Sequence, residues 1–134
     1  METTARTPTV WPALRYNDAQ QAIAFLKRAF GFEESAVYPG ESPGSIVHAE
    51  LLWSGGGGGV MLGSTRADDL SEVMQPGMSS IYVVTDEPDA LFERATGAGA
   101  EVVRGLTNED YGSRGFTVRD PEGNLWSFGT YGGA

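Results

Sequence analysis

The chain contains no cysteine and one histidine, and its 9 Lys and Arg residues face 18 Asp and Glu, for a net charge of −9. Without cysteine there is no disulfide, thiolate metal site or catalytic thiol. The acidic balance argues against nucleic acid, which needs clustered basic side chains. It suits a cationic ligand, or it serves solubility alone.

Long hydrophobic runs are also missing. No stretch approaches the roughly 20 apolar residues that cross a bilayer, and residues 1–8 lack the apolar core of a signal peptide. We therefore expect a cytoplasmic protein without a membrane partner. With 134 residues, 40% of them hydrophobic, the chain predicts one globular domain, residues 1–134.

The first half opens with a strand followed by a helix. Residues 11–16 read as a short strand, and Asp18 with Gln21 resembles a capping box. Apolar residues then recur at helical spacing until Gly31, which is a typical C-terminal stop.

The second half repeats this plan. Residues 81–84 form a β-branched run, Thr85 or Asp86 is the expected cap, and Pro88 suits the first helical turn. Asp18 and Asp86 lie 68 positions apart, as do Gly31 and Gly99. The common offset predicts an internal duplication.

Strand-like sequence follows each helix. Residues 34–38, 45–53 and 60–63 continue the first half, with residues 55–59 as a glycine hairpin loop. In the second half, residues 101–103, 116–119 and 125–129 are the strands, joined by the turn Asp120-Pro121-Glu122-Gly123. Each half therefore reads βαβββ, which predicts an α+β fold. Module one spans about 9–64, a polar linker about 65–78, and module two about 79–132.

The duplicated plan and three sequence runs together resemble the vicinal oxygen chelate superfamily, which includes glyoxalase I, extradiol dioxygenases and bleomycin-resistance proteins. The runs are ALRYNDAQQAIAFLKRAFGF from Ala13, SIVHAELLW from Ser45 and YGSRGFTVRDPEGNLWSFGTY from Tyr111. The resemblance implies two modules whose curved mixed sheet surrounds a groove, with helices on the convex side, and commonly a homodimer. This fold hosts many chemistries.

Metal-dependent members resemble one another in placing ligands on the first and last strand of each module. Carried over to this chain, those positions fall on Trp11, Leu62, Ser80 and Ser127. None of these residues is His, Glu, Asp or Gln, and a one-residue shift does not supply a ligand. We therefore expect no metal site and no cofactor.

Strand alternation selects the groove-facing residues. If Trp11 faces the groove, so does Arg15, while Leu14 and Tyr16 face the helices; if Ser127 faces the groove, Trp126 and Phe128 belong to the core. Arg15 matches a position where glyoxalase-like proteins resemble one another in holding a carboxylate. The alternative for Arg15 is a salt bridge with Glu50. In residues 45–53, Val47, Ala49 and Leu51 should meet a helix, which leaves His48 and Glu50 for the groove. That pair could transfer protons or contact a ligand, or His48 could be an ordinary strand residue.

Trp11, Tyr82 and Tyr111 would add an aromatic wall suited to flat or cationic ligands, or they could be plain core. Three functions remain open. The chain could be a metal-free binding protein of the bleomycin-resistance type, holding a small aromatic or cationic molecule between two copies. It could be a glyoxalase- or dioxygenase-like lyase or oxygenase. It could also be a metal-independent isomerase or cyclase that uses His48 and Glu50.

Overall fold

The computed structural model of the protein describes residues 8–66 and 73–134. Within them the chain forms eight strands and two helices, the first of which continues as a π-helical turn. In chain order the elements are β1 Ala13–Tyr16, α1 Ala19–Phe25, the π-helical turn Leu26–Phe30, β2 Glu33–Pro39, β3 Ile46–Leu52, β4 Gly59–Ser64, β5 Ser80–Val84, α2 Pro88–Gly97, β6 Glu101–Asn108, β7 Arg114–Arg119 and β8 Leu125–Gly129. Part of the expected linker, residues 67–72, lies outside the described residues.

The strands form two four-stranded sheets of the same topology. Sheet one has the strand order β1-β4-β3-β2, and sheet two has the order β5-β8-β7-β6. The β1–β4 and β5–β8 pairs are parallel, and the remaining pairs are antiparallel. Both sheets are therefore mixed and open. The predicted α+β fold with two βαβββ modules is confirmed.

The predicted cap is correct for α1, and for α2 the predicted cap, Thr85 or Asp86, lies one or two residues too early. The side chain of Asp18 accepts a hydrogen bond from the Gln21 amide at 3.0 Å, as the capping pattern predicts. The cap of α2 is Glu87, while the Thr85 hydroxyl accepts from the Glu87 amide at 3.1 Å. Pro88 occupies the first helical position, where a missing N–H costs nothing, so the helix begins there and not at Thr85 or Asp86.

One hydrophobic core joins the modules. Helix α1 packs on β1, β3 and β4, α2 packs on β6 and β7, and α2 also touches the π-helical turn. The ring of Phe30, at the end of that turn, lies 4.7 Å from Phe128 and 5.3 Å from Trp126, both on β8. The last turn of the first helix thus packs against the sheet of the second module. No helix among the described residues is long and apolar enough to cross a bilayer.

The turn that follows β7 is organised by a buried carboxylate. Asp120 is 5% exposed, and its Oδ1 accepts from the amides of Glu122 and Asn124 at 3.0 and 3.1 Å. Its Oδ2 accepts from the Tyr16 hydroxyl at 2.6 Å, the Asn124 side-chain amide at 3.0 Å and the Trp126 indole at 3.0 Å. Five donors compensate the burial of this charge. The hairpin motif therefore serves the fold, and it ties β1 of module one to module two.

Candidate functional site

The two sheets share an open face, which we define as the sides of both sheets turned away from α1 and α2. On β1 it carries Ala13 and Arg15, while Leu14 and Tyr16 are buried toward the helices, as alternation predicts. On β5, Ser80 and Tyr82 are exposed. Edge strands β1 and β5 flank a depression of about 460 Å³ lined by residues 12–14 and 79–82. The open face therefore continues from one sheet to the other.

The prediction that Leu62 faces the groove is wrong. This side chain is 3% exposed and belongs to the core, paired with Leu14 of β1. Its neighbour Met61, paired with Ala13, lies on the open face instead. A shift of one residue exchanges the two faces of a strand. The family pattern located the equivalent position on β4 only to within one residue, so the predicted face was the opposite of the observed one.

Val47 also departs from its expected side, because β3 contains a β-bulge. Tyr38 pairs with His48 and Pro39 pairs with Ile46, so one step along β2 corresponds to two steps along β3. The bulge resets the alternation. Ala49 and Leu51 are buried as predicted, but Ile46 replaces Val47 in the core, and Val47 is 54% exposed.

The sheet-one half of the open face brings Arg15 and His48 together. Both residues, with Val47 and Met61, line a pocket of about 300 Å³. His48 Nε2 lies 2.8 Å from Oε2 of Glu50, and both side chains are partly exposed. Arg15 Nη1 donates to the backbone oxygen of Ser64 at 3.5 Å. The carboxylate of Glu50 is therefore paired with His48 and not with Arg15, which answers the salt-bridge alternative.

The sheet-two half brings Tyr82, Tyr111 and Ser127 together around a pocket of about 180 Å³. The Tyr82 hydroxyl donates to the backbone oxygen of Tyr131 at 2.7 Å, and the rings of Tyr111 and Tyr131 meet edge to face at 5.8 Å. Glu109 also lines this pocket and pairs with Arg104 at 2.7 Å. The result is an aromatic pocket that also contains the Arg104–Glu109 ion pair.

Trp11 stands apart from this aromatic group. Its indole N–H donates to the backbone oxygen of Pro8 at 3.1 Å. Its ring packs over Gly59, where a Cβ would come within 2.8 Å of Cζ3. The aromatic wall therefore consists of Tyr82, Tyr111 and Tyr131 without Trp11.

The positions that correspond to family metal ligands do not fit a metal ion. They carry an indole at Trp11, a thioether at Met61 and hydroxyls at Ser80 and Ser127. The Ser127 hydroxyl is hydrogen-bonded to that of Thr117 at 2.8 Å. In residues 8–66 and 73–134, no three His, Cys, Asp or Glu side chains are grouped to hold a cation. Zinc, iron and manganese prefer imidazole, carboxylate or thiolate donors, so this donor set suits none of them.

Four site residues were missed from the sequence: Met61, Glu109, Thr117 and Tyr131. Met61 and Thr117 could have been found from strand alternation, once the register of β4 and β7 was fixed. Glu109 and Tyr131 lie beyond the ends of β6 and β8, where no periodic signal exists. Only the folded chain brings them to Tyr82.

Comparison with known proteins agrees with this architecture. The profile of the Glyoxalase/Bleomycin resistance protein/Dioxygenase superfamily matches residues 9–128. The uncharacterized protein Mb0911c of Mycobacterium bovis is 35% identical over 132 residues, covering 91% of this chain and 82% of that protein. TioX from Micromonospora sp. ML1 superposes with a TM-score of 0.72 at 34% identity, over 87% of this chain and 93% of TioX.

A more distant structure shares the fold. TnmS3, an antibiotic binding protein from Streptomyces sp. CB03234, superposes with a TM-score of 0.68 at 22% identity, over 94% of this chain and 97% of TnmS3. The superfamily profile spans most of the chain, and its two-module plan is the one described above. The chain belongs to the Glyoxalase/Bleomycin resistance protein/Dioxygenase superfamily.

Proposed function

We propose that the protein is a metal-free binding protein for a small aromatic or cationic molecule, held on the open face. The observation that carries this proposal is the pocket lined by Tyr82 and Tyr111, with the ring of Tyr131 packed against that of Tyr111. Tyrosine rings attract flat and cationic groups. The net charge of −9 favours the approach of a cation.

The proposal gains support from two further features. The metal-ligand positions hold Trp11, Met61, Ser80 and Ser127, which removes the usual basis of catalysis in this superfamily. TnmS3, which shares the fold, is described as an antibiotic binding protein. At 22% identity that likeness carries the fold alone, so the ligand class rests on the pocket of this chain.

We also propose that a second copy of the chain completes the site. The tyrosine half-pocket, at about 180 Å³, is smaller than the roughly 300–1,000 Å³ that a drug-sized molecule needs, and the other half-pocket, at about 300 Å³, only reaches the lower end of that range. Tyr38 and Val47 leave large apolar surfaces on or beside the open face, at 57% and 54% exposure. Light scattering after size exclusion should give twice the chain mass. A monomer at micromolar concentration would remove this part of the proposal.

A ligand screen tests the binding function. Bleomycin-like, quinone and peptide antibiotics would be titrated against tryptophan and tyrosine emission, because Tyr82 and Tyr111 line the pocket. Tyr111→Ala should weaken the best ligand by about 2- to 30-fold, the range of one stacking or cation–π contact.

Val103→Ala is the matched control, because this exposed side chain on β6 lines neither the tyrosine pocket nor the pocket of Arg15 and His48. It should leave affinity within about twofold, an expectation for removing a residue that the ligand does not touch. Equal losses from both substitutions, or no ligand with Kd below about 100 μM, would contradict the proposal.

A metal-independent isomerase or cyclase is the second candidate, favoured by one observation. His48 Nε2 and Glu50 Oε2 are 2.8 Å apart beside a pocket, an arrangement suited to proton transfer. His48→Ala separates the two candidates. An enzyme should lose about 10²- to 10⁴-fold in rate, whereas a binder that uses the tyrosine pocket should keep its affinity.

The glyoxalase- or dioxygenase-like alternative requires a bound metal, and the residues at the family positions do not fit one. Turnover of a hemithioacetal or a catechol with added metal would revive it. The absence of a metal cofactor and the cytoplasmic location stay predictions.

A further inference from the structure

A separate apolar cavity of about 480 Å³ lies where β5 meets the glycine loop of module one. Phe32, Trp53, Val60 and Val83 line it, together with Gly55 through Gly59. Phe32 and Val60 are buried side chains of the core, and Tyr82 of the open face borders the cavity at another point. Its volume is that of a small-molecule site. None of the charged side chains in the described residues lines it.

The internal duplication explains why this cavity exists. Trp53 and Asp120 are equivalent, because each donates its backbone N–H across its turn, to Gly58 at 2.8 Å and to Asn124 at 3.0 Å. At the module-two turn, Asp120 and Asn124 form a buried hydrogen-bonded cluster with Tyr16.

At the module-one turn two of the three corresponding positions hold smaller groups, whereas Trp53 is larger than its counterpart Asp120. The counterpart of Tyr16, two residues before a helix cap, is Thr85, and the counterpart of Asn124 is Gly58. Two large side chains are thus replaced by small ones. The space that polar side chains fill at one end of the molecule is left open at the other.

One polar atom at this cavity lacks a partner. Trp53 Nε1 is fully buried and has no acceptor among the described residues. It lies against Gly55, where a Cβ would come within 2.9 Å of it. Buried indole N–H groups are normally hydrogen-bonded. Residues 54–58 are exposed and mostly glycine, so the backbone of this loop has the freedom to move when a ligand oxygen approaches the N–H.

We propose that this cavity is a second binding site, for an uncharged, flat aromatic molecule whose carbonyl or ether oxygen accepts the N–H of Trp53. The apolar and aromatic lining provides contact area and selects against charge. The indole N–H fixes orientation. Tyr82 borders both this cavity and the tyrosine pocket, but the other lining residues of the two sites differ. The proposal therefore stands whether or not the proposed function holds.

Two matched compounds test the proposal. 2-Acetylnaphthalene carries a carbonyl oxygen, and 2-ethylnaphthalene has nearly the same shape without an acceptor. In amide NMR titrations of the whole chain, both should shift the signals of Gly55 through Gly59 and Val83. The ketone should bind about 5- to 10-fold more tightly, the value of one neutral hydrogen bond.

Variants then assign the contact. Trp53→Phe should remove the preference for the ketone and leave the hydrocarbon unchanged. Gly55→Ala, whose methyl group would press on the indole nitrogen, should also abolish the preference, whereas Gly57→Ala has open space around its Cβ and should keep it. His48→Ala, on the open face, should change neither affinity.

Three results would contradict the proposal. Equal affinity for the two compounds in the unmodified protein would remove the role of Trp53. Shifts confined to Tyr111, Ser113 and Ser127 would place both compounds in the open-face pocket. Absence of binding at millimolar concentration would exclude the site altogether.

Discussion

At the scale of single residues, Asp120 does more for this protein than any group on the open face. It is buried, carries the charge of a carboxylate, and satisfies it with five hydrogen bonds from two modules. The motif that identifies the family in the sequence is therefore a structural device. The Asp120 carboxylate therefore supports the fold and does not form a ligand site.

Tyr16 offers a direct pH test of this cluster. Burial and the neighbouring Asp120 carboxylate raise the pKa of the Tyr16 hydroxyl above its usual value. An unfolded tyrosine titrates near pH 10, so above that pH the unfolded chain releases a proton that the folded chain keeps. The free energy of unfolding should then fall by up to about 1.4 kcal/mol per pH unit from this group.

Tyr16→Phe should lose this share of the pH dependence. It should also be less stable at pH 7, by about 1–3 kcal/mol, because Asp120 loses a donor. Urea unfolding of both proteins from pH 8 to 11 measures the slopes. Tyr38→Phe, which removes an exposed hydroxyl outside this cluster, is the control for the substitution itself. Parallel slopes for the unmodified protein and Tyr16→Phe would show that the hydroxyl titrates normally.

Residue-level prediction from the sequence succeeded where alternation was regular and failed where it was not. Leu14, Tyr16, Trp126 and Phe128 are buried as the period of two predicts. Val47 fails because a bulge in β3 inserts one residue, and Leu62 fails because a one-residue shift in β4 exchanges the faces. Neither a bulge nor a register leaves a mark in the composition of a single strand.

At the scale of elements, the duplicated helices differ by one residue. From cap to left-handed glycine, the first runs Asp18 to Gly31 and the second Glu87 to Gly99, with φ of 86° and 94° at the two glycines. The offset is therefore 69 at the caps and 68 at the stops. The π-helical turn Leu26–Phe30 accommodates the additional residue. A single offset of 68, as the sequence suggests, misplaces the cap of α2 by that residue.

The π-helical turn predicts unequal tolerance to deletion. Removing Lys27 should convert the turn to α-helix and leave Phe30 and Phe32 in the core, at the expense of one exposed ion pair with Glu34. Exposed pairs are worth about 0–1 kcal/mol, so unfolding free energy should change by about that much.

Deletion of Glu93 from α2 is the matched comparison. Because α2 contains no additional residue, this deletion rotates the part of the helix after residue 92 by about 100° and turns Ala95 out of the core. We expect a loss of about 3 kcal/mol or more. Urea denaturation of the two variants decides the matter, and equal losses would mean that the π-helical turn is not a tolerated insertion.

At the scale of the whole molecule, the boundary between the two modules, which we call the seam, runs between the edge strands β1 and β5. Its two ends differ in the contacts that they make. One end carries the Tyr16–Asp120 cluster and the Glu122 carboxylate, which accepts from the amides of Asn17 and Asp18 at 2.7 and 2.8 Å. Asn124 adds a bond from the Ser79 amide at 3.0 Å. The other end is the apolar cavity behind the glycine loop. Hydrogen bonds thus connect the two modules at one end of the seam, whereas a cavity lies at the other end.

This asymmetry predicts that Glu122 stabilises both modules together. Glu122→Ala removes two charge-assisted hydrogen bonds between module two and the start of α1, so the unfolding free energy should fall by about 1.5–3 kcal/mol. Because Phe30 and Trp126 share one core, the slowest amides of β4 and β8 should lose the same protection in hydrogen exchange. Glu41→Ala, at an exposed bend of module one, should leave both strands unchanged. Loss of protection in β4 alone would instead show that the modules open independently and that the seam is a hinge.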